Sequence, residues 1–258
     1  MTRAASRMAR VMRGLRRAPP AVKFLAAILL LVVTWLAMNW VYQVARKPAE
    51  LFFPVSGALS KTPAETWRRY GPLFRAHSTA TMTPEFLAAL AQVEGAGNPT
   101  ARTYWRWRLS WNPFKWYQPA STAVGMYQIT DGTFREAKRY CIHDHVVVEA
   151  GAWNDWRGCW FNALYTRVIP SHAIEMTSAL LDHQVSVLLR QQPATRATPA
   201  QKLDLAAIIH LCGIGGGEMY LQRGFRAAGL RCGSEDAARY LVDLHAAMRV
   251  FAAMSRGR

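Results

Sequence analysis

Glu94 closes an apolar run, TPEFLAALAQVE, and is followed at once by GAGNP and later by STAVGMYQIT at residues 121–130. Positions 95 to 130 contain no other Asp or Glu. A carboxylate-dependent reaction built on this stretch therefore runs with one acid and not with the pair that most glycosidases use. The residue types that could serve such an acid are the Ser, Gln and backbone groups of the second string.

The run before Glu94 reads as the helix that must position it. Thr83 suits an N-cap with Pro84 at the first helical position, and Phe86, Leu90 and Val93 recur at helical spacing as one buried stripe. At about 100° per residue, Glu94 projects from the margin of that stripe. Gly95 and Gly97 suit the helix C-terminus. Partial burial and the negative end of the helix dipole both favour the neutral, proton-donating carboxyl there.

Together the strings resemble the lysozyme-like soluble lytic transglycosylases, the SLT domain family, in which Glu-Ser-x-x-Asn-Pro and Gly-Leu-Met-Gln motifs flank a sugar cleft. This chain reads E-G-A-G-N-P at 94–99 and G-M-Y-Q at 125–128, and the likeness covers about residues 83–248. It implies a mainly α, goose-type lysozyme-like domain. It also implies Glu94 as the catalytic acid, and a substrate-binding strip of Gly125, Met126, Tyr127 and Gln128 with Ser121 nearby. The late segment AARYLVDLHAAM at 237–248 is similar to the family's last helix and implies that Tyr240 faces the acid. Each of these also has an ordinary structural use: Gln128 in satisfying backbone groups, Ser121 in a turn, Tyr240 in the core.

The sequence departs from the family in two places. Gly95 stands where serine is usual, and IHLCGIG at 209–215 stands where the family has A-Y-N-A-G-P-G, so His210 and Leu211 replace a tyrosine and an asparagine. Imidazole still offers a hydrogen bond to a sugar or to Glu94, whereas leucine offers none. His210 lacks metal-ligand spacing with its neighbours apart from Cys212, so no metal and no other cofactor is expected.

The mechanism implied by the resemblance uses Glu94 twice. It first protonates the glycosidic oxygen between N-acetylmuramic acid and N-acetylglucosamine, then takes the proton from the muramyl 6-hydroxyl as a 1,6-anhydro ring closes. Two rivals stay open. One is a lysozyme-type hydrolase using Asp131 to activate water; the other is a catalytically weak peptidoglycan-binding scaffold, motivated by His210 and Leu211.

Upstream, six arginines (Arg3, Arg7, Arg10, Arg13, Arg16 and Arg17) precede AVKFLAAILLLVVTWLAMNWVYQVA. About 21 apolar residues at 1.5 Å each cross a hydrocarbon core of roughly 30 Å. Residues 1–20 are thus expected as a basic cytoplasmic tail, 21–45 as an uncleaved inner-membrane anchor, 46–61 as a linker, and 62–258 as one periplasmic lysozyme-like domain. A cleaved signal peptide is the competing reading, but no good small-x-small site follows the apolar core.

Cys141, Cys159, Cys212 and Cys232 all follow the anchor; proximity suggests pairing the first two and the last two, while sequence alone permits three pairings or four buried reduced thiols. The net charge is +16 from 32 basic and 16 acidic residues. Such a balance suits carboxylate-bearing peptidoglycan strands and the membrane surface. No nucleic-acid module is recognisable, so no nucleic-acid partner is expected. An envelope-spanning secretion or conjugation machine is the partner an anchored cell-wall protein of this kind would serve.

Helical patterns cover 64–74, 83–94, 131–140, 172–190, 202–211 and 235–253, with at most a short hairpin near 124–129. Between the two strings lies TYWRWRLSWNPFKWYQP, longer than the family's usual connection and rich in aromatics. Stacking on sugar rings, contact with a membrane interface and contact with a partner protein all suit it.

Overall fold

The computed structural model describes residues 18–151, 154–155, 158–192 and 196–257, and side chains there other than those of Phe53 and Pro54. The arginines up to position 17 lie outside the described residues. The chain is mainly helical and divides into two compact units.

The smaller unit combines the N-terminal segment with the aromatic stretch. Helix α1 (Pro20–Arg46) starts at a proline in the first turn and carries a window of mean hydropathy 2.4, none of it buried. By length and composition it is able to cross a membrane. The aromatic stretch forms an antiparallel hairpin of β1 (Trp105–Trp107) and β2 (Tyr117–Pro119), pairing Trp105 with Pro119 and Trp107 with Tyr117.

The larger unit is helical around one core. Helices α2 (Pro63–Ala76) and α3 (Pro84–Gly95) open it, each with a Thr N-cap whose hydroxyl accepts a backbone N–H and a Pro at the first position. Such a cap contributes about 1 kcal/mol. Helix α3 differs from the single-stripe expectation, because all six residues from Phe86 through Ala91 are fully buried. A helix apolar on every side is enclosed by its neighbours, and the alanines let those neighbours approach closely. The remaining elements are α4 (Asp131–Ala137), β3 (Tyr140–His143), β4 (Val146–Glu149), α5 (Pro170–Gln191), α6 (Pro199–Gln222), β5 (Arg231–Cys232), β6 (Glu235–Asp236) and α7 (Ala237–Arg256). Helix α6 is two helical segments joined at Gly213, whose φ of 74° and ψ of 177° suit glycine alone.

Two expectations need correction, and a third gains detail. Residues 46–61, expected as a linker, form short helical turns at Pro48–Phe52, Phe53–Ser56 and Gly57–Leu59, and the boundary between the two units falls among them. Ser56 donates to the Thr100 carbonyl at 2.8 Å, and Asn98 donates to the Ser56 carbonyl at 2.6 Å. Ser56 is thereby fastened to the loop that follows Glu94. The helix expected over 131–140 stops at Ala137, because Tyr140 already belongs to β3. Strand content also exceeds the one hairpin expected. The β3–β4 turn has Asp144 and His145 both at positive φ, so it reverses the chain without the Asn-Gly or Asp-Gly pair that marks such turns in a sequence.

Both expected disulfides are present. Cys141–Cys159 ties β3 to the loop beyond β4, and Cys212–Cys232 ties the bend of α6 to β5.

Near β3, Glu175 accepts from the Ile142 N–H at 3.0 Å and the Tyr165 hydroxyl at 2.7 Å, with His77 Nδ1 at 3.7 Å. Burial pulls the His77 pKa below its ordinary 6.5, and Glu175 opposes this only in part. The unfolded chain takes up that proton near pH 6.5, while the folded chain does so only at lower pH. Stability from neutral His77 is therefore full above pH 6.5 and is lost as pH falls below it. His172, also lowered by burial, acts in the same direction. The melting midpoint should drop between pH 7.5 and pH 5, and His77→Gln should reduce that drop; an identical pH dependence in the variant would contradict the assignment.

Candidate active site

Glu94 sits one residue from the end of α3, and the chain then turns sharply. Ala96 is left-handed at φ 49°, and the Gly97 N–H closes on the Ala91 carbonyl at 3.0 Å. Against this helix end lies the turn carrying the GMYQ string. Val124 and Ile129 bond reciprocally through N–H and carbonyl groups, and the Gln128 N–H reaches the Gly125 carbonyl at 3.0 Å. The two backbones touch at Gly95. A Cβ placed there would stand 2.9 Å from both the α-carbon and the carbonyl oxygen of Met126. Close approach of main chain to main chain is thus why glycine occupies this position.

Two more helices complete the surroundings of the carboxylate. From α7, the Tyr240 hydroxyl donates to Glu94 Oε1 at 2.5 Å. Burial raises the Tyr240 pKa well above 10, and the Glu94 charge and hydrogen bond add to the rise. The phenol therefore remains a donor at any pH the protein meets. From the last turn of α6 before its bend, His210 Nε2 lies 3.8 Å from the same Oε1, too far for a direct hydrogen bond. The side chain of Glu94 keeps 16% of its surface exposed and His210 10%, so both are reachable from solvent yet largely desolvated.

Hollows surround this group. One of about 550 Å³ runs from Ser56 past Glu94 to Tyr104, and one of about 330 Å³ lies between Glu94, Leu211 and Tyr240. A third, of about 280 Å³, is walled by Gln128, His210 and Leu211. The first two share Glu94 among their lining residues and the last two share Leu211, so Glu94 borders two of the three hollows.

The structure thus brings together Glu94, Tyr240 and His210, with Gln128 on the adjoining wall. The rest of the expected strip behaves differently. Met126 and Tyr127 are fully buried side chains, and the Tyr127 hydroxyl donates to the Leu87 carbonyl of α3 at 3.0 Å. They are core residues that hold the turn against α3, so their side chains do not face a substrate. Gly125, at φ 82°, is needed because a Cβ would fall 2.4 Å from the Arg167 carbonyl oxygen. Gln128 spends one amide hydrogen on the Gly125 carbonyl at 2.9 Å. Ser121 is exposed, its Oγ accepts from the Ala123 N–H at 3.1 Å, and it is not among the residues lining the three hollows. It serves as a turn residue.

Asp131, the acid proposed for water activation, is occupied elsewhere. Its carboxylate pairs with Arg167 Nη2 at 2.8 Å, while Arg167 Nη1 donates to the Thr122 and Ile129 carbonyls, each at 2.9 Å. One guanidinium thus clamps both ends of the GMYQ turn, a role the sequence did not mark. Arg167→Met should cost about 2 kcal/mol, since the two carbonyl bonds go to a charged donor and the Asp131 pair is half exposed. A midpoint lower by about 4–8 °C is expected in thermal unfolding; an unchanged midpoint would remove the clamp from the account.

Sequence reading also missed an acidic rim. Glu235, Asp236 and Asp243, around the start of α7, line the same hollow as Glu94 and Tyr240. Asp236 caps the helix by accepting from the Arg239 N–H at 3.0 Å. These acids lie more than 130 residues downstream of Glu94, so only the return of α7 across α3 brings them near, and no local spacing signals it. Comparison with protein families, with curated proteins and with solved structures finds no match to this chain.

Proposed function

We propose that this chain is a membrane-anchored peptidoglycan lytic transglycosylase with a goose-lysozyme-like domain. The observation that carries the reading is Glu94 bordering an open depression with a neutral phenol, Tyr240, donating to one carboxylate oxygen. That bond fixes Oε1 and leaves Oε2 to hold and deliver a proton.

In the proposed reaction Glu94 protonates the glycosidic oxygen of a MurNAc-GlcNAc β-1,4 bond. The C1–O bond breaks with the electron pair going to the departing GlcNAc oxygen, and the acetamido carbonyl of the muramyl residue stabilises C1. The Glu94 carboxylate then takes the proton of the muramyl 6-hydroxyl as O6 bonds to C1, which restores the acid and leaves a 1,6-anhydro end. His210 and Gln128 line the adjoining hollow, where their polar groups suit sugar hydroxyls and amides. Helix α1 supports the anchor, and two disulfides agree with a periplasmic domain.

The acidic rim favours one second reading, a lysozyme-type hydrolase in which Asp243, exposed in the same hollow, activates water. Products separate the two. The full chain, purified in detergent and incubated with sacculi, should release muropeptides bearing anhydro ends in mass analysis. Reducing ends would establish hydrolysis, and binding without release would leave the protein a peptidoglycan-binding scaffold.

A further inference from the structure

No residue of the aromatic hairpin is among those lining the two hollows that Glu94 borders. The hairpin belongs to the same compact unit as α1, and its bonds show what it is built to meet. Two amides on α1, Asn39 and Gln43, are buried and donate to hairpin carbonyls: Asn39 to Tyr117 at 2.7 Å and Gln43 to Phe114 at 2.6 Å. Rings repeat the pattern. Trp35 stacks on Trp107 with centroids 5.9 Å apart and meets Trp116 at 6.2 Å, while Tyr42 stacks on Phe114 at 5.2 Å. The contacts run from Trp35 to Gln43, about 12 Å of helix, in the portion that ends at Arg46.

In water, carbonyls of an irregular loop are satisfied by solvent, and amides on a helix gain little by seeking them. In a bilayer each unsatisfied backbone group costs several kcal/mol, so non-helical backbone is tolerated only where protein groups satisfy it. Asn39 and Gln43 supply such groups. Two of the four indole N–H groups in this stretch bond within the protein: Trp116 Nε1 donates to the Ser110 carbonyl at 2.6 Å, and Trp105 Nε1 to Glu50 at 2.9 Å.

The largest exposed side chains between β1 and β2 are apolar. Leu109 is 97% exposed, Trp111 fully exposed and Trp107 66% exposed, with the exposed apolar face of α1 in the same unit. Arg106 and Arg108 are exposed beside them, as suits phosphate oxygens at the headgroup level. We propose that the hairpin is a second membrane element, with Trp107, Leu109 and Trp111 set into the phospholipid leaflet on the Arg46 side of α1. This rests on the reading of α1 as a membrane span. It assigns Trp107 and Trp111 to lipid and not to glycan, while Tyr104 lines the hollow beside Glu94.

The test uses the full chain in liposomes of phosphatidylcholine with phosphatidylglycerol, labelled with an environment-sensitive nitrobenzoxadiazole dye. Labels are placed singly at Leu109→Cys and Trp111→Cys, at Leu30→Cys within α1, and at Arg69→Cys on the exposed face of α2. Nitroxide-bearing phosphatidylcholine should quench the labels at 109 and 111 at least about twofold more than that at 69, and aqueous iodide should show the reverse order. If position 30 is quenched by the lipid probe while 109 and 111 behave like 69, the span stands and the hairpin proposal is overturned. If position 30 also behaves like 69, α1 does not lie in the bilayer and both readings fall.

Discussion

Glu94→Gln should reduce the release of anhydro-ended muropeptides by about 10²–10⁴-fold, the usual contribution of a positioned acid and base. The substitution is nearly isosteric. Its amide oxygen still accepts from Tyr240 at the position now held by Oε1, so the packing of α7 on α3 is preserved and the melting midpoint should move little. The amide has no proton to give to a glycosidic oxygen and no basicity to take one from a 6-hydroxyl, so both halves of the proposed reaction would fail together. Binding to sacculi should persist, because the depression and its polar wall are untouched. Tyr240→Phe provides the contrast: it leaves the carboxyl but frees Oε1, so turnover should fall less than in Glu94→Gln. Anhydro products from the Glu94→Gln protein within tenfold of the parent would move the chemistry to another residue, with the acid rim at Glu235, Asp236 and Asp243 the place to look next.

Much of this arrangement was legible in the sequence because it is local. Thr-Pro at 83–84 marked the start of α3, where the hydroxyl satisfies an orphan N–H and the proline fixes φ; the same pair at 62–63 and 198–199 opens α2 and α6, whose starts the apolar pattern alone set one and three residues late. The apolar run at 21–45 was equally plain, whereas the cysteines allowed three pairings of which proximity suggested the one observed. The encounter of Glu94 with Tyr240 is separated by 146 positions and was reached only through resemblance, since no periodicity predicts which helices meet. The misassigned substrate strip has a specific source. Met126 and Tyr127 sit in a string adjacent to the acid, yet their side chains point into the core; the turn's shape, held by Arg167, decides which of its residues face out. The Trp-rich stretch was ambiguous for a similar reason: its composition suits sugar, lipid or protein, and its partner on α1 lies more than 60 positions away.

The resemblance sets a serine where this chain has Gly95, and restoring it should damage the protein. A serine Cβ would meet the Met126 α-carbon and carbonyl oxygen at 2.9 Å, closer than non-bonded atoms settle, and its hydroxyl would need further room. The obstacle is main chain, not the end of a flexible side chain, so relief requires moving the GMYQ turn or the last turn of α3. That turn is pinned by the Arg167 guanidinium and by Tyr127 bonded to Leu87, and α3 is enclosed on every side, so neither moves freely. Forcing extra atoms into such a contact typically costs about 1–3 kcal/mol, which corresponds to a midpoint lower by roughly 2–12 °C. Glu94 is the adjacent residue, and a shift of about 1 Å at a catalytic group is enough to lose roughly 10²-fold in rate. Gly95→Ala should lose activity and stability to a similar degree, because the Cβ and not the hydroxyl causes the clash. A Gly95→Ser protein as stable and as active as the parent would mean that the turn stands farther from the helix than described, and that serine and glycine are interchangeable beside the acid.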